Sequence, residues 1–510
     1  MDLNEYLKLQ NGSDIRGVAV EGVEGENVNL SAEGVFFIAK AFAGYVAELK
    51  GKDVKDIKIA IGHDSRISAE SLKKAAICGI KSTGAAVTDC HLASTPSMFM
   101  ATVLPDLMYD GAIMMTASHL PYNRNGLKFF TSDGGFEKAQ ITDVLSLAYE
   151  QDAAAGTKTD LNMSADEEYD LISRYSAHLC DIIKKEVNSA EYDVPLKGLH
   201  IVVDAGNGAG GFFAEKVLKP LGADISGSRF LEPDGMFPNH IPNPENKVAM
   251  AAIQEATISA KADFGLIFDT DVDRAAAVFS DGTEVSRNAV IALMAAIVAK
   301  DHPNTTVVTD SVTSDELAEF LEKDLGLSHH RFKRGYKNVI NEAIRLNAEG
   351  KETHLAMETS GHGALKENYF LDDGAYLSVK MVIELAKRHQ SGEKMEDLIS
   401  SLKYPKDSGE FRLKIALEDF ASYGQGVIKD LMEFSSWQQE FNIVPDNYEG
   451  VRISYNDGNI HGWLLLRMSL HDPLLPLNIE TKEDGGVKVI KEKLLPFFEQ
   501  YDALDISPLK

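Results

Sequence analysis

Three aspartates at alternate positions, Asp269, Asp271 and Asp273, follow the apolar run Phe264 to Phe268. Alternate side chains of an extended segment share a face, so this loop can aim three carboxylates at one point. Such an oxygen cluster calls for a hard divalent cation. A calcium EF-hand loop would need Gly at its sixth position and Glu at its twelfth, where Arg274 and Ser280 stand, so that reading fails. Mg²⁺ at a partly open catalytic site fits better, and a solvated acidic turn is the plain alternative. The second candidate is Ser118 in Thr116-Ala117-Ser118-His119, just past the apolar strand Ala112 to Met115 and ahead of Pro121, Asn125, Gly126 and Lys128. A serine exposed there could be a nucleophile, but it lacks the GxSxG surround of a hydrolase elbow, and His119 as its sequence neighbour need not reach its hydroxyl.

The turn Gly206-Asn207-Gly208-Ala209-Gly210-Gly211 formally matches GxGxxG, with Asp224 and Glu232 at about the spacing of a ribose-binding acid. It is the strongest case for a rival function, dinucleotide binding by an oxidoreductase. Glycines at a strand-to-helix turn also serve tight backbone geometry alone. Two further polar clusters end apolar runs. Glu358-Thr359-Ser360-Gly361-His362 offers acceptors suited to sugar hydroxyls, and Arg467-Met468-Ser469-Leu470-His471-Asp472-Pro473 offers an Arg fork, a hydroxyl and turn amides suited to phosphate.

The elements that must hold these groups repeat a plan of strand, turn, amphipathic helix and strand. One unit runs from the strand Ile57 to Ile61 through His63-Asp64-Ser65-Arg66 into a helix near Ala69 to Thr83 and a strand Ala85 to Thr88. A second has the strand Leu199 to Val203, the glycine turn and a helix Phe212 to Pro220; a third has the strand Thr305 to Thr309, the turn Asp310 to Ser314 and a helix Asp315 to Leu325. Beyond Pro405 come a strand Glu410 to Ile415, a helix near Asp419 to Met432, strands Val451 to Tyr455 and Gly462 to Met468 joined by Asn456-Asp457-Gly458-Asn459, and a helix Gly486 to Gln500. A long helix over Asp166 to Val187, with Leu171, Ile172, Tyr175, Leu179 and Ile182 on one stripe, links the first two units. The expected fold is α/β: three related α/β domains with mixed sheets, followed by an α+β domain. The expected boundaries are 1-160, 161-300, 301-405 and 406-510.

At 510 residues the chain is too long for a single small module, and 44% hydrophobic against 25% charged residues is ordinary globular composition. A formal charge of −27 repels nucleic acid and acidic membrane surfaces, so a small-molecule partner is expected, with no nucleic acid and no membrane. Cys78, Cys90 and Cys180 form no CxxC pair and read as buried thiols. The longest apolar run, Ala289 to Ala299, is too short to span a bilayer, and the acidic start lacks a signal h-region; the expected location is cytoplasmic.

Taken in order, Asp14-Ile15-Arg16-Gly17, the Ser118 loop with Asn125-Gly126-Leu127-Lys128, the Asp269 to Arg274 loop, Glu358 to His362 and Arg467 to Ser469 resemble the successive site loops of the α-D-phosphohexomutase family, most closely its phosphomannomutase/phosphoglucomutase branch. The resemblance spans nearly the whole chain. It implies four domains around a central cleft and an intramolecular phosphotransferase that interconverts hexose 1-phosphate and hexose 6-phosphate, of glucose and/or mannose. It also implies a phosphoserine at Ser118, a 1,6-bisphosphate intermediate, and Mg²⁺ held by Ser118, Asp269, Asp271 and Asp273. A phosphoserine adds about −1.5 to −2 charges beside three carboxylates, which a bridging dication offsets.

On the same resemblance, Lys128, Arg16 and His362 lie around the phosphoserine as acid/base candidates, while His119 and Arg274 hold phosphoryl oxygens. Glu358 and Ser360 grip the sugar, and Arg467 and Ser469 clamp the far phosphate. Tyr336 and Lys337, in Arg334-Gly335-Tyr336-Lys337, match a second sugar-reading loop. Hexose 1,6-bisphosphate is the implied activator. The sequence departs from the family at Leu120, at Met357 and at Leu470-His471-Asp472-Pro473. Phosphoglucosamine mutase is the alternative within the family; a dinucleotide-binding oxidoreductase or a non-catalytic sugar-phosphate binder are the alternatives outside it.

Overall fold

The computed structural model describes residues 1–155, 159–469 and 472–510. The first sheet contains β1 (Gln10–Asn11), β2 (Asp14–Val18), β3 (Lys58–His63), β4 (Ala86–Leu92), β5 (Gly111–Met115), β6 (Arg124–Thr131), β7 (Gly134–Gly135) and β8 (Glu167–Glu168). Its order is β1-β2-β6-β5-β3-β4-β8, with β7 on β6. β3 pairs parallel with β4 and β5, whereas β6 runs antiparallel to β5 and β2. Every residue of β5 is buried, as the continuous apolar run requires of a strand covered on both faces. The helices Ala32–Lys50, Ala69–Lys81 and Lys138–Ala155 supply much of that cover through Phe36, Phe42, Ile80, Ile141 and Leu145.

The second sheet has the order β12-β11-β10-β9, where β9 is Ile201–Asp204, β10 Phe264–Phe268, β11 Ala275–Phe279 and β12 Glu284–Val285. β9 and β10 are parallel, and β10 and β11 form an antiparallel hairpin closed by the Phe268 and Ala275 pair. The connection across that pair carries Asp269, Asp271 and Asp273. The third sheet centres on β13 (Thr306–Thr309), parallel to both β14 (Ser328–Arg331) and β15 (Thr353–Met357); β16 (Gly363–Leu365) follows. The last sheet, β17 (Asp407–Lys414), β18 (Phe441–Ile443), β19 (Val451–Asn456), β20 (His461–Leu466) and β21 (Leu474–Thr481), is antiparallel in the order β17-β21-β20-β19-β18. Two helices, Phe420–Ser436 and Gly486–Phe498, bury Leu431, Ile490 and Phe498 in its core. Three α/β domains and a C-terminal α+β domain are therefore present, as the periodicity indicated. Contact density divides the chain into two units: Met1–Val290 with Ser360–Leu398, and Ile291–Thr359 with Ile399–Lys510.

Several local expectations shift. The helix expected from Asp166 begins at Leu171, because Glu167–Glu168 first adds β8 to the edge of β4. Its stripe takes Ile183 rather than Ile182, the residue one turn beyond Leu179. Cys78 and Cys90 are buried, but Cys180 is only half-buried. The helix after the glycine turn is a single π-helical stretch, Phe213–Leu218, and the one after Ser314 passes from α (Asp315–Glu319) to π (Phe320–Asp324). Among the described residues, no helix is long and apolar enough to cross a membrane.

Candidate active site

Ser118 stands just beyond the buried end of β5, in the left-handed region at φ 51°, which is costly for a residue with a Cβ. Its backbone is held on both sides. The Ser118 N–H donates to Thr116 Oγ1 at 2.9 Å, and the Arg66 guanidinium donates to its carbonyl. The antiparallel partner β6 sets Lys128 opposite Met114 and Gly126 opposite Arg16. Only glycine fits at 126, since a Cβ there would lie 2.2 Å from the Ile15 carbonyl oxygen and 2.7 Å from that of Thr116.

The aspartate loop meets this serine directly. Ser118 Oγ lies 3.0 Å from Asp269 Oδ2 and 3.2 Å from His119 Nδ1, so two acceptors are in reach of one hydroxyl proton. Lys128 Nζ donates to Asp271 Oδ2 at 2.9 Å and to Asp273 Oδ2 at 2.5 Å. Thr95 grips Asp271 twice, its hydroxyl on the carboxylate and its N–H on the carbonyl at 2.8 Å. Arg274 donates its N–H to Asp269 Oδ1 at 3.2 Å, with its guanidinium 3.9 Å from Asp269 and 3.8 Å from Glu245. The loop carries strain of its own, because Val272, a β-branched residue, sits at φ 66°. Gly374 N donates to the Val272 carbonyl at 3.0 Å and helps fix it there.

Charge in the site is divided unequally. Burial, reinforced by Asp273 and Asp271, pushes the Asp269 carboxyl well above its usual range. Asp273 goes the other way: burial opposes its charge, but Lys128, His362 and Arg274 outweigh burial and hold it far below that range. Burial, with Arg274 and Arg16 nearby, drops His119 to about 2, so it stays neutral and can accept a hydrogen bond. His362 is raised: burial works against its charge, and Asp372 at 2.5 Å more than compensates. Its Nδ1 is also 3.7 Å from Asp273, and its backbone bridges Arg274.

The carboxylate oxygens of Asp269, Asp271 and Asp273 lie within 4.8 Å of one another. Asp271 Oδ1 and Asp273 Oδ1 are buried without any hydrogen-bond partner. Orphaned anionic oxygens of this kind are expensive to bury and are the donor set of a hard divalent cation. The residues present therefore fit a bound metal ion, with Ser118 Oγ at its edge.

The first unit thus gathers Arg16, Ser118, His119, Lys128, the three aspartates, Arg274 and His362, together with Ser360, which is buried beside Gly361. The second unit carries the rest. Tyr336 and Lys337 open the helix Tyr336–Ala348 behind Gly335 at φ 109°, and Glu358 Oε1 accepts the Gly335 N–H at 2.6 Å. Arg467 leaves the end of β20 buried, its charge disfavoured by that burial, and its Nε has no hydrogen-bond partner. Ser469 N donates to the Leu474 carbonyl at 3.0 Å, and Ser469 Oγ accepts the Asp472 N–H at 3.2 Å. The departures Leu470 and His471 lie outside the described residues. Sequence reasoning missed Arg66, Thr95 and Asp372, which contact the site only through the fold. The Asp64-Ser65-Arg66 turn at the end of β3 was the one available signal for the first of these.

The glycine turn does not offer a phosphate cradle. Gly206 N is taken by Asp204 Oδ1, Asn207 N by the Phe230 carbonyl, Gly208 N by that of Ala205 and Ala209 N by that of Thr270. A Cβ on Gly208 would lie 2.6 Å from the Thr270 carbonyl oxygen. These glycines allow the turn to pack against the aspartate loop.

A buried serine facing a metal-competent aspartate cluster, on three successive α/β domains and a fourth α+β domain, defines the α-D-phosphohexomutase class, enzymes that transfer phosphate intramolecularly. Residues 8–154, 174–282 and 286–404 match, in order, domains I, II and III of "Phosphoglucomutase/phosphomannomutase, alpha/beta/alpha". The chain belongs to the phosphoglucomutase/phosphomannomutase family. It is 28% identical over 481 residues to a phosphomannomutase/phosphoglucomutase of Pseudomonas putida, covering 94% of each chain. A family protein of known structure from Burkholderia thailandensis aligns with TM-score 0.76 at 24% identity, covering 99% of this chain and 100% of that one. An N-acetylphosphoglucosamine mutase of Aspergillus fumigatus, solved in complex with GlcNAc-6P and magnesium, aligns with TM-score 0.51 at 13% identity over 87% of this chain and 77% of that one.

Proposed function

We propose that this enzyme interconverts the 1- and 6-phosphates of glucose and/or mannose through a phosphoryl group carried on Ser118. The observation that carries the reading is the 3.0 Å approach of Ser118 Oγ to Asp269, within a triad whose Asp271 and Asp273 each leave a buried oxygen unsatisfied. Ser118, Asp269, Asp271 and Asp273 would hold Mg²⁺, which when bound offsets charge on the transferring phosphoryl oxygens. The chain's own groups do the rest. The bond from Ser118 Oγ to phosphorus breaks as the sugar hydroxyl bonds to phosphorus; Lys128, His362 and Arg16 are the acid/base groups around this exchange, and the hydroxyl proton ends on Ser118 Oγ, which leaves as a free hydroxyl. Neutral His119 and cationic Arg274 hold phosphoryl oxygens.

The sugar bisphosphate so formed returns its other phosphate to Ser118, which requires grips indifferent to which end is bound. Glu358, Ser360, Tyr336 and Lys337 are assigned to the sugar, and Arg467 and Ser469 to the phosphate not in transfer. The unpartnered Nε of buried Arg467 supports an anion there. Hexose 1,6-bisphosphate is the activator on this reading, reloading Ser118. The domain boundaries that accompany it are 1–160, 161–300, 301–405 and 406–510, and the location is the cytoplasm.

Intact mass before and after phosphatase treatment tests the carrier: a phosphoryl adduct is expected on the wild type and none on Ser118→Ala. No adduct on the wild type, or full turnover by Ser118→Ala, refutes the reading. A panel of kcat/KM values on glucose, mannose and glucosamine 1-phosphates decides the sugar. Preference for the amino sugar makes this a phosphoglucosamine mutase instead. A site that buries polar groups against one hydroxyl rejects its absence by about 10⁴-fold or more.

A further inference from the structure

We infer that Arg66 is a positioning residue for phosphoryl transfer: its guanidinium acts as a carbonyl clamp that holds the Ser118 loop in reacting geometry. Its side chain is fully buried and pairs with equally buried Asp64, with Nε at 3.1 Å from Asp64 Oδ2. The remaining donors all go to backbone oxygens of one loop. Nη1 donates to the carbonyls of Pro121 at 2.8 Å and Arg124 at 3.0 Å, and Nη2 to those of Leu120 at 2.8 Å and Ser118. Asp64 reaches the same loop from the other side, accepting from Thr116 Oγ1 at 2.7 Å, and that hydroxyl in turn accepts the Ser118 N–H. Ser118 is therefore bracketed at both its N–H and its carbonyl by one buried ion pair, and the bracket keeps it at φ 51° with Oγ turned to Asp269.

The chemistry of the clamp is specific to a planar fork. Four carbonyls spread over residues 118–124 need divergent N–H groups in one plane, which guanidinium supplies and a single ammonium does not. The guanidinium donates its hydrogen bonds to Asp64 and to those four carbonyls, and feels Asp271 only through space; its face lies over Phe237, with the guanidinium carbon 5.3 Å from the ring centre. Its effect on turnover is thus through Ser118. The inference rests on Ser118 being the phosphoryl carrier, and its test separates the two.

In Arg66→Lys, which keeps the charge facing Asp64, kcat is expected to fall about 10²-fold with KM within about threefold, the loss that a misplacement near 1 Å produces. Hydrogen–deuterium exchange should rise across residues 116–124 while strands β3 and β5 stay protected, a change that a general loss of stability would not confine to the loop. Thr116→Val, which cuts only the Asp64 link to the Ser118 N–H, should show the same pattern to a smaller degree, and it decides the matter if the lysine variant fails to fold. Wild-type kcat together with unchanged exchange at 116–124 in a folded variant overturns the clamp. Absence of a phosphoryl adduct on wild-type Ser118 overturns the carrier assignment instead, and leaves exchange as the readout of the clamp.

Discussion

Replacing Lys128 by Met offers a quantitative check on how the site balances its charge. Lys128 is 6% exposed and is shared by two carboxylates that are themselves almost wholly buried. His362 and Arg274 also favour the charge on Asp273, but from 3.7 and 4.0 Å they make up only part of the loss. Removing one member of a buried ion pair costs about 3–5 kcal/mol, because the partner remains buried and unpaired. Unfolding entropy of about 2.1 cal/mol/K per residue, over the roughly 330 residues of the first unit, converts that to a fall in Tm of about 4–7 °C in EDTA. Mg²⁺ at a hundred times its Kd returns about 2.7 kcal/mol to any chain that binds it only when folded, close to 4 °C on the same scale. In Lys128→Met the dication also takes over the missing positive charge, so the Mg²⁺-induced rise should exceed that of the wild type at equal concentration. Scanning calorimetry with and without Mg²⁺ reads both numbers. An EDTA melt within about 1 °C of wild type, or equal Mg²⁺ increments for the two proteins, refutes this account of the site.

Two further outcomes follow from the same geometry. Gly208→Ala places a Cβ 2.6 Å from the Thr270 carbonyl oxygen, so the aspartate loop must shift; Mg²⁺ affinity measured by calorimetric titration should weaken about tenfold, and an unchanged Kd would contradict the packing role of the glycine turn. Asp373, buried at the start of the helix Gly374–Ser391, has its carboxyl pushed up to about 6, chiefly by burial, despite hydrogen bonds from Tyr175 and Asn368. Because the folded state binds this proton more tightly than the unfolded chain, its contribution is full below about pH 4. The contribution declines as pH rises to 6, by about 3 kcal/mol. Asp373→Asn should remove that decline from the pH profile of stability, and an identical slope in both proteins would rule it out.

The sites were legible where chemistry sits at the visible end of an apolar run. Ser118 follows β5 and the three aspartates follow β10, and in both cases a buried strand fixes where polar residues emerge. Their meeting, 3.0 Å apart across a long sequence separation, was expected from the family resemblance and not from either run alone. Residues that act by tertiary approach left no periodic trace: Thr95 reaches Asp271 from the first turn of its helix, Asp372 reaches His362 across a strand turn, and Arg66 reaches over to residues 118–124. The glycine turn kept a rival reading open for a different reason. Spacing shows that glycine is needed but not what approaches it, and here the approaching atoms are the protein's own Thr270 and Leu231 backbone.

The contacts that pin the strained Val272 loop are made by chain that is synthesised much later. Gly374 N holds the Val272 carbonyl, and Ala275 N donates to the Gly361 carbonyl at 3.2 Å, while the whole of Ile291–Thr359 between them belongs to the other unit. A nascent chain that has emerged only to Val290 therefore owns its serine and its aspartates but not the backbone that locks them together. If Ser118 carries phosphate as proposed, loading awaits chain beyond Gly374, and truncations ending in the third domain should yield a folded first sheet that takes up no phosphate.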